Sequence, residues 1–183
     1  MSSIDSIKRH YQTNWHEFSE HHFNKGPIYE LLPEFCVLKF QPGKKRNSWI
    51  YATCGMSENK NEQRLELFIL SAVENDFLIE LLTVIAHYYA DGNNLGLGHT
   101  INFGCPWYDG SLCDHGLISL PYLDGPSLEW LEIGGRKIQF LWLIPITKDE
   151  LEYKKVNGLE SLEDLFEEAS FNYSDPLRQS VVP

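Results

Sequence analysis

Apolar residues recur with helical spacing in the first part of the chain. The steps between them are three or four residues, as in an amphipathic helix, and the positions are Ile4, Ile7, Tyr11, Trp15, Phe18 and His22. This pattern predicts one helix over residues 3–23 whose apolar stripe packs on the rest of the domain. Gly26 and Pro27 end it, because the residue before a proline avoids helical backbone geometry.

The next part of the chain reads as strands followed by a buried helix. Residues 35–40 and 49–54 are rich in β-branched and aromatic residues and flank the turn PGKKRN, so they predict an antiparallel hairpin. Residues 65–72 are almost continuously apolar, which is typical of a central strand. Residues 76–89 are apolar on nearly every side and predict a buried helix, with Asn75 as its cap.

The second half of the chain continues with strands and ends in short helices. Strands are predicted within HTINF, GLISLPYL, LEWLEI and KIQFLWLIPI. Thr147 with Glu150 forms a capping box for one helix, and Ser161 with Asp164 opens a second. Residues 172–183 read as a loosely held tail. With no repeat or linker, the layout is a single α+β domain, residues 1–183, with a mixed, mostly antiparallel sheet packed with helices.

Several of these segments recur, in the same order, in one known family. They are WIYATCGMS, RLELFIL, AHYYADGNNLGLGH, INFGCP, IQFLWLIPITKDEL and NGLESLEDLF, spread over about residues 28–166. This order resembles the suppressor of fused (SUFU) domain, including its small bacterial members. The resemblance implies a SUFU-like fold and a protein-binding domain without known catalytic residues. The eukaryotic relative holds a transcription factor, while many bacterial members look like immunity proteins encoded beside secreted toxins.

The resemblance also implies candidate binding residues. In the eukaryotic members a tyrosine and the loop up to a histidine help to hold a partner peptide, which adds as a strand. The matching positions are Tyr88, Asn93 and His99, and Gly98 stands where the family has an acidic residue just before that histidine.

Composition and charge narrow the partner classes. The formal charge is −11 with a pI near 5.0, which disfavours direct binding to nucleic acid. The same charge is compatible with a basic protein partner or simply with solubility. No run of about 18 apolar residues and no hydrophobic signal core occur, so we expect a cytoplasmic protein without membrane contact. The four cysteines form no CxxC pair, and we expect reduced thiols.

Sites for metals, cofactors and catalysis have weak support in the sequence. The segment 99–115 collects histidines and cysteines, but without the paired spacing of a zinc site. On the predicted first helix, no two of the histidines are four residues apart, so they read as solvated positions. A cysteine hydrolase would need Cys105 beside His99, oriented by Asp109. No nucleotide-binding glycine motif is present, and we expect no metal, no cofactor and no enzymatic activity.

Two further groups of residues are candidates for partner binding. Trp107, Tyr108 and Asp109 lie in the loop CPWYDG, where an exposed Trp107 would anchor an interface; alternatively it folds inward as a lid on the core. Acidic residues surround the last predicted helix, and they form either a solvated face or a surface for a basic partner: Glu160, Glu163, Asp164 and Glu167.

The sequence therefore leads to three hypotheses. The first is a non-enzymatic immunity protein (antitoxin) that neutralises a cognate secreted bacterial toxin, a basic protein such as a nuclease, by stoichiometric binding. It would be a monomer or weak oligomer. The second is a regulatory adaptor that binds an extended peptide of a partner at a sheet edge. The third is the hydrolase built on Cys105 and His99.

Overall fold

One mixed β-sheet forms the centre of the protein. The computed structural model describes residues 2–59, 61–170 and 172–183, and within them eight strands join this sheet. They are β1 Ser19–His22, β2 Cys36–Phe40, β3 Trp49–Cys54, β4 Leu65–Ser71, β5 Thr100–Asn102, β6 Cys113–Ser119, β7 Trp130–Ile133 and β8 Arg136–Thr147. Their order is β1-β2-β3-β4-β8-β6-β5, with β7 also paired to β8. Strands β4 and β8 run parallel and the other described pairs are antiparallel, which confirms the predicted α+β class.

Helices cover both faces of this sheet. They are α1 Ser3–Trp15, α2 Pro27–Leu31, α3 Phe77–Ala90, α4 Pro126–Glu129, α5 Lys148–Asn157 and α6 Leu159–Ala169, and a short 3-10 turn spans Met56–Glu58. One apolar cluster joins the sheet to α2 and α3. A second cluster joins the opposite face to α1, α4, α5 and α6. The sheet is therefore the middle layer of three.

The two-sided burial explains the apolar composition of β4. Leu65 and Leu67 pack into the cluster with α3, whereas Phe68 and Leu70 pack into the cluster with α1. All seven residues of the strand are buried. A strand covered on both faces needs apolar side chains at successive positions, not only at alternate ones. The predicted central strand is thus confirmed.

The three helix starts predicted from the sequence have different outcomes. Helix α3 has Asp76 at its N-cap in place of the predicted Asn75. The Asn75 side-chain oxygen accepts a hydrogen bond from the Phe77 N–H at 3.2 Å, at the start of α3. Thr147 and Glu150 form the reciprocal capping box of α5. The prediction that Ser161 opens the last helix is wrong, because α6 begins after Gly158 and Ser161 lies inside it.

The predicted helix over residues 3–23 is too long. The first helix ends at Trp15, where His16 takes a φ of 73° and its N–H caps the Gln12 carbonyl. The chain then turns back and forms the edge strand β1, antiparallel to β2. Phe18 still packs on the apolar cluster, but from a loop. Backbone pairing with β2 thus prevails over the helical spacing of the last two apolar positions.

The segment 172–183 is fastened to the domain, contrary to the predicted loose tail. Both terminal nitrogens of Arg178 donate to the Glu150 carboxylate, each at 2.7 Å, and this carboxylate is fully buried. The Ser174 carbonyl accepts from the Ala72 N–H at 2.8 Å, which adds a hydrogen bond at the end of β4. Because breaking a buried ion pair leaves an uncompensated charge, the pair with Arg178 holds the tail in place.

A second buried carboxyl group, that of Glu66 in β4, holds the turn after β3. It accepts five hydrogen bonds of 2.6–3.3 Å, from the hydroxyls of Thr53 and Ser57 and the N–H groups of Gly55, Met56 and Ser57. Burial raises the pKa of Glu66, while these hydrogen bonds act to lower it. Gly55 has a φ of 98°, and a Cβ there would lie 2.9 Å from Ile4 Cδ1, so the turn requires glycine.

We predict that Glu66→Gln lowers the free energy of unfolding by about 2–3 kcal/mol. Either orientation of the amide turns its NH2 group toward a backbone N–H that the carboxyl oxygen accepts from. Urea unfolding followed by circular dichroism measures the change. Glu62→Gln, an exposed position four residues earlier, is the control and leaves the midpoint unchanged. Equal midpoints for the two variants would contradict the role given to Glu66.

We also predict that Arg178→Met destabilises the protein by about 3 kcal/mol, since it leaves the buried Glu150 carboxylate without its charged partner. The matched control is Arg136→Met. Arg136 pairs with Glu58 at 3.5 Å with 41% of its side chain exposed, and its loss changes stability little. Adding Glu150→Gln to Arg178→Met restores part of the loss. If Arg178→Met were as stable as Arg136→Met, the Arg178–Glu150 pair would not be what holds residues 172–183 on the domain.

Candidate functional site

Four of the five acidic residues of α6 form one wall of a pocket: Glu160, Glu163, Asp164 and Glu167. Their spacing of three and four residues places all four on one side of the helix. The pocket has a volume of about 450 Å³ and we call it the acidic pocket; its lining consists of Ser119, Tyr122, Trp142, Ile144, Glu160, Glu163, Asp164, Phe166, Glu167 and Tyr173. Within this lining there is no lysine, arginine or histidine to neutralise the carboxylates. The four acidic residues predicted from the sequence are thus brought together at one site.

Glu163 is the most firmly held of these carboxylates. The Ser119 hydroxyl donates to one of its oxygens at 2.5 Å, and the Tyr122 hydroxyl donates to the other at 3.1 Å. Partial burial and the neighbouring Glu163 charge raise the pKa of Tyr122 to about 12. The two hydroxyls fix the carboxylate at the pocket wall, while the other three acidic residues are exposed.

Aromatic rings form the floor of the acidic pocket. The rings of Trp142 and Tyr173 lie 4.8 Å apart between centroids, and Tyr173 makes an edge contact with Phe166. Trp142 is 1% exposed, and its indole N–H is buried without an acceptor among the described residues. Carboxylates and aromatic rings that line one pocket suit a cationic group, because both the negative charges and the ring faces attract it.

A cavity of opposite charge lies next to the acidic pocket. It has a volume of about 750 Å³, lies between α1 and the β2–β3 turn, and carries Lys44, Lys45 and Arg46. Arg46 pairs with Asp124 at 2.9 Å. A small cavity of about 120 Å³ includes Arg46 from this basic cavity and Tyr173 from the acidic pocket. The two larger cavities are therefore neighbours on the face of the sheet that α1 and α6 cover.

The loop CPWYDG is largely exposed, but its tryptophan is buried. Trp107 is 1% exposed and packs in the cluster with α3, so the alternative in which it folds inward is the observed one. Its carbonyl accepts from the Asn75 side chain at 2.9 Å. Tyr108 is partly buried against the same cluster and Asp109 is exposed. Of the two alternatives left open for Trp107, the exposed one is therefore not observed.

Of the three residues suggested by the family resemblance, Tyr88 and Asn93 lie at and after the end of α3, and His99 lies beside the edge strand β5. Tyr88 is 49% exposed near the end of α3, and the Asn93 amide donates to its carbonyl at 2.9 Å. His99 is exposed and directly precedes the edge strand β5, and its carbonyl accepts from the Ile118 N–H at 2.9 Å. Their role in binding stays a prediction.

The residues of the hypothetical hydrolase do not assemble into a reactive group. Cys105, His99 and Asp109 are all exposed. In the part of the chain that the structure describes, no hydrogen bond joins the side chains of these three residues. A nucleophile and its base need such contact.

Sequence reasoning missed the floor and the opposite wall of the acidic pocket. Ser119 and Trp142 are paired in the β6–β8 register, but lie far apart in sequence. Tyr122 follows β6, and Tyr173 comes from the tail that was predicted to be loose. A pairing between strands that are distant in sequence produces no local sequence pattern. Of the pocket lining, only the acidic residues could therefore be predicted, from their helical spacing.

Comparisons with known proteins place this geometry in a family. The family model described as suppressor of fused protein matches residues 33–179, most of the chain. The chain belongs to the SUFU family. A crystal structure of a SUFU homologue from Neisseria gonorrhoeae superposes with a TM-score of 0.85 at 33% identity, covering 98% of this chain and 97% of that one. The family and fold predicted from the sequence are thus confirmed.

More distant relatives show the fold and one named role. The protein is 27% identical over 141 residues to the immunity protein YqcF of Bacillus subtilis (strain 168), covering 72% of this chain and 73% of that protein. The Sufu–Fu complex gives a TM-score of 0.71 at 16% identity, covering 97% of this SUFU-family chain and 90% of the matched one. Suppressor of Fused from Drosophila gives 0.72 at 16% identity, covering 97% of this chain and 50% of that one. At such identities these two matches show the fold alone.

Membrane insertion by a helix has no support in the described part of this SUFU-family protein. None of its described helices has the length and apolar character needed to cross a bilayer.

We predict that Glu163→Gln lowers the pKa of Tyr122 from about 12 toward the ordinary tyrosine value of about 10. The neutral amide no longer disfavours the phenolate, although the burial of the ring still does. NMR titration of protein carrying ¹³C-labelled tyrosine measures this pKa. Glu168→Gln, on the same helix but outside the pocket lining, is the control. An unchanged Tyr122 pKa in Glu163→Gln would contradict the contact.

Proposed function

We propose that this SUFU-family protein is an immunity protein that binds a basic toxin through the acidic pocket. The observation that carries the proposal is the pocket itself, in which four carboxylates surround an aromatic floor with no cation in the lining. The relative named an immunity protein supports the role. The protein would act in the cytoplasm and cover the active site of the toxin without chemistry of its own.

The pocket has the properties needed to hold a lysine or arginine side chain of the toxin. Its volume of about 450 Å³ is ample for one such side chain. Glu163 is already oriented by Ser119 and Tyr122, so binding requires little reordering of that carboxylate. A cation placed there would contact carboxylates and ring faces in a partly desolvated site.

The overall charge would assist the encounter with such a toxin. A formal charge of −11 attracts a basic protein over distances of about a Debye length, roughly 8 Å at physiological ionic strength. A nuclease is a natural candidate, because binding the negatively charged nucleic acid requires a basic surface on the nuclease. Occupying that surface with acidic side chains would block access of the nucleic acid.

A peptide-binding adaptor is the second candidate function. Strand β5 has three residues and forms one end of the described sheet, with His99 exposed directly before it. An extended peptide could add there through main-chain hydrogen bonds. Tyr88 and Asn93 would then be expected to contact its side chains.

Co-expression with the protein encoded immediately upstream or downstream tests the immunity proposal. We expect rescue of growth and a 1:1 complex on size-exclusion chromatography. The double variant Glu160→Lys/Asp164→Lys should weaken the complex at least about thirtyfold, equivalent to about 2 kcal/mol, because it places cations in the acidic pocket.

The matched control is Glu17→Lys/Glu30→Lys, two exposed positions outside the pocket. Each double variant changes the formal charge by +4, from −11 to −7, so a loss confined to the pocket variant separates contact from overall charge. Equal losses would contradict the pocket as the binding site. A neighbour that is harmless, or that kills despite the protein, would contradict immunity, and binding of an extended peptide at β5 would then be measured.

A further inference from the structure

The strand β1 aligns metal-binding side chains across three neighbouring strands. In the observed register His22 lies opposite Cys36, and Cys36 lies opposite Cys54. Directly opposed residues of antiparallel strands point to the same face of a sheet, and so do residues two apart on one strand. Glu20 therefore shares this face with His22. The predicted helix over residues 3–23 concealed this alignment, because Glu20 and His22 would point to different sides of a helix.

Three of these side chains bring their ligand atoms close together. One ligand atom each of Glu20, His22 and Cys36 lies within 4.8 Å of the other two. The His22 Nε2 is 2.6 Å from the Glu20 Oε2. Around tetrahedral zinc, with bonds of about 2.0–2.3 Å, ligand atoms lie roughly 3–4 Å apart. A side-chain shift of about 1 Å would therefore bring the three atoms to bonding distance.

We propose that Glu20, His22 and Cys36 form a binding site for Zn²⁺. A thiolate, an imidazole and a carboxylate together are a ligand set that zinc accepts, whereas Mg²⁺ and Ca²⁺ take oxygen ligands. Three protein ligands leave the fourth position of a tetrahedron to a water molecule. The site lies at the edge of the sheet, away from the acidic pocket, and does not depend on the proposed immunity function.

Neighbouring groups fit such a site. Cys54 lies directly opposite Cys36 in the β2–β3 register, and its thiol donates to the Ile4 carbonyl at 3.9 Å. Cys36 is fully buried, whereas 31% of the Glu20 side chain and 52% of the His22 side chain are exposed. The Glu20 and His22 ligand atoms are therefore accessible to an ion from solvent.

Lys8 already places a positive charge at this position. Its ammonium group lies 2.8 Å from the Glu20 Oε2, the oxygen that also contacts His22. Zinc would displace the ammonium from that oxygen, so Lys8 competes with the metal. Replacing Lys8 should therefore strengthen zinc binding, which a purely structural ion pair between Lys8 and Glu20 would not predict.

Titration of the untagged protein with Co²⁺, a spectroscopic substitute for Zn²⁺, tests the proposal. The protein is stripped with EDTA, desalted and kept reduced with a phosphine. We expect one equivalent of Co²⁺ to bind, with a thiolate-to-cobalt charge-transfer band that Zn²⁺ abolishes by displacement. Glu20→Gln and His22→Gln should weaken binding at least about tenfold, and Lys8→Met should strengthen it. Cys36→Ser should remove the band.

Two control variants each remove a histidine or a cysteine that lies outside the cluster. His21→Gln changes a histidine on the opposite face of β1, where it pairs with Val37, and Cys105→Ser removes an exposed thiol. Both should bind metal as the unmodified protein does. A band that persists in Cys36→Ser, a band lost in Cys105→Ser, or no binding at about 100 μM Co²⁺ would overturn the proposal. Since Cys36 is buried, circular dichroism checks that Cys36→Ser folds. If this variant does not fold, the metal affinity of the surface variant His22→Gln tests the site instead.

Discussion

The covering of the sheet on both faces is the constraint on which the rest of the structure depends. Central strands in such a sheet have little access to water, so each polar side chain on them needs a protein partner. Glu66 of β4 finds five donors in β3 and the turn after it. Glu150 of α5 is buried as well, and it finds Arg178. Ser119 of β6 finds Glu163. The partners of these buried groups lie on the turn, the tail and α6, so satisfying them also fixes the position of those peripheral segments.

Local sequence patterns predicted the positions of the most apolar elements correctly. Strand β4 is almost continuously apolar because it is covered on both faces, whereas α3 buries one side and exposes Glu80, Val84 and Tyr88 on the other. The bounds of both elements were predicted to within one residue. The first helix was predicted too long because spacing alone cannot distinguish a helical stripe from apolar residues that continue into a loop and a strand. The backbone of Ser19–His22 pairs with β2, which no local pattern encodes.

The same division between local and distant information applies to the acidic pocket. The positions of Glu160, Glu163, Asp164 and Glu167 follow from helical periodicity, so their common face could be predicted. The other residues that line the pocket around these acids could not be predicted from the sequence. Trp142 reaches the pocket through the β6–β8 pairing, and Tyr173 through a tail that reads as unstructured until Arg178 is seen to bind Glu150. The loop residue Trp107 is also buried, because its ring packs in the apolar cluster with α3.

The fastening of the tail links stability to the proposed binding function. Tyr173 supplies part of the aromatic floor, and its neighbour Ser174 is hydrogen-bonded to Ala72 at the end of β4. Five residues after Tyr173, Arg178 is held by the buried Glu150, which belongs to the capping box of α5. The floor of the pocket is therefore held on both its strand side and its tail side before any partner arrives. A site ordered in advance loses less conformational entropy on binding, so the buried Glu150–Arg178 pair would contribute to affinity without touching the partner.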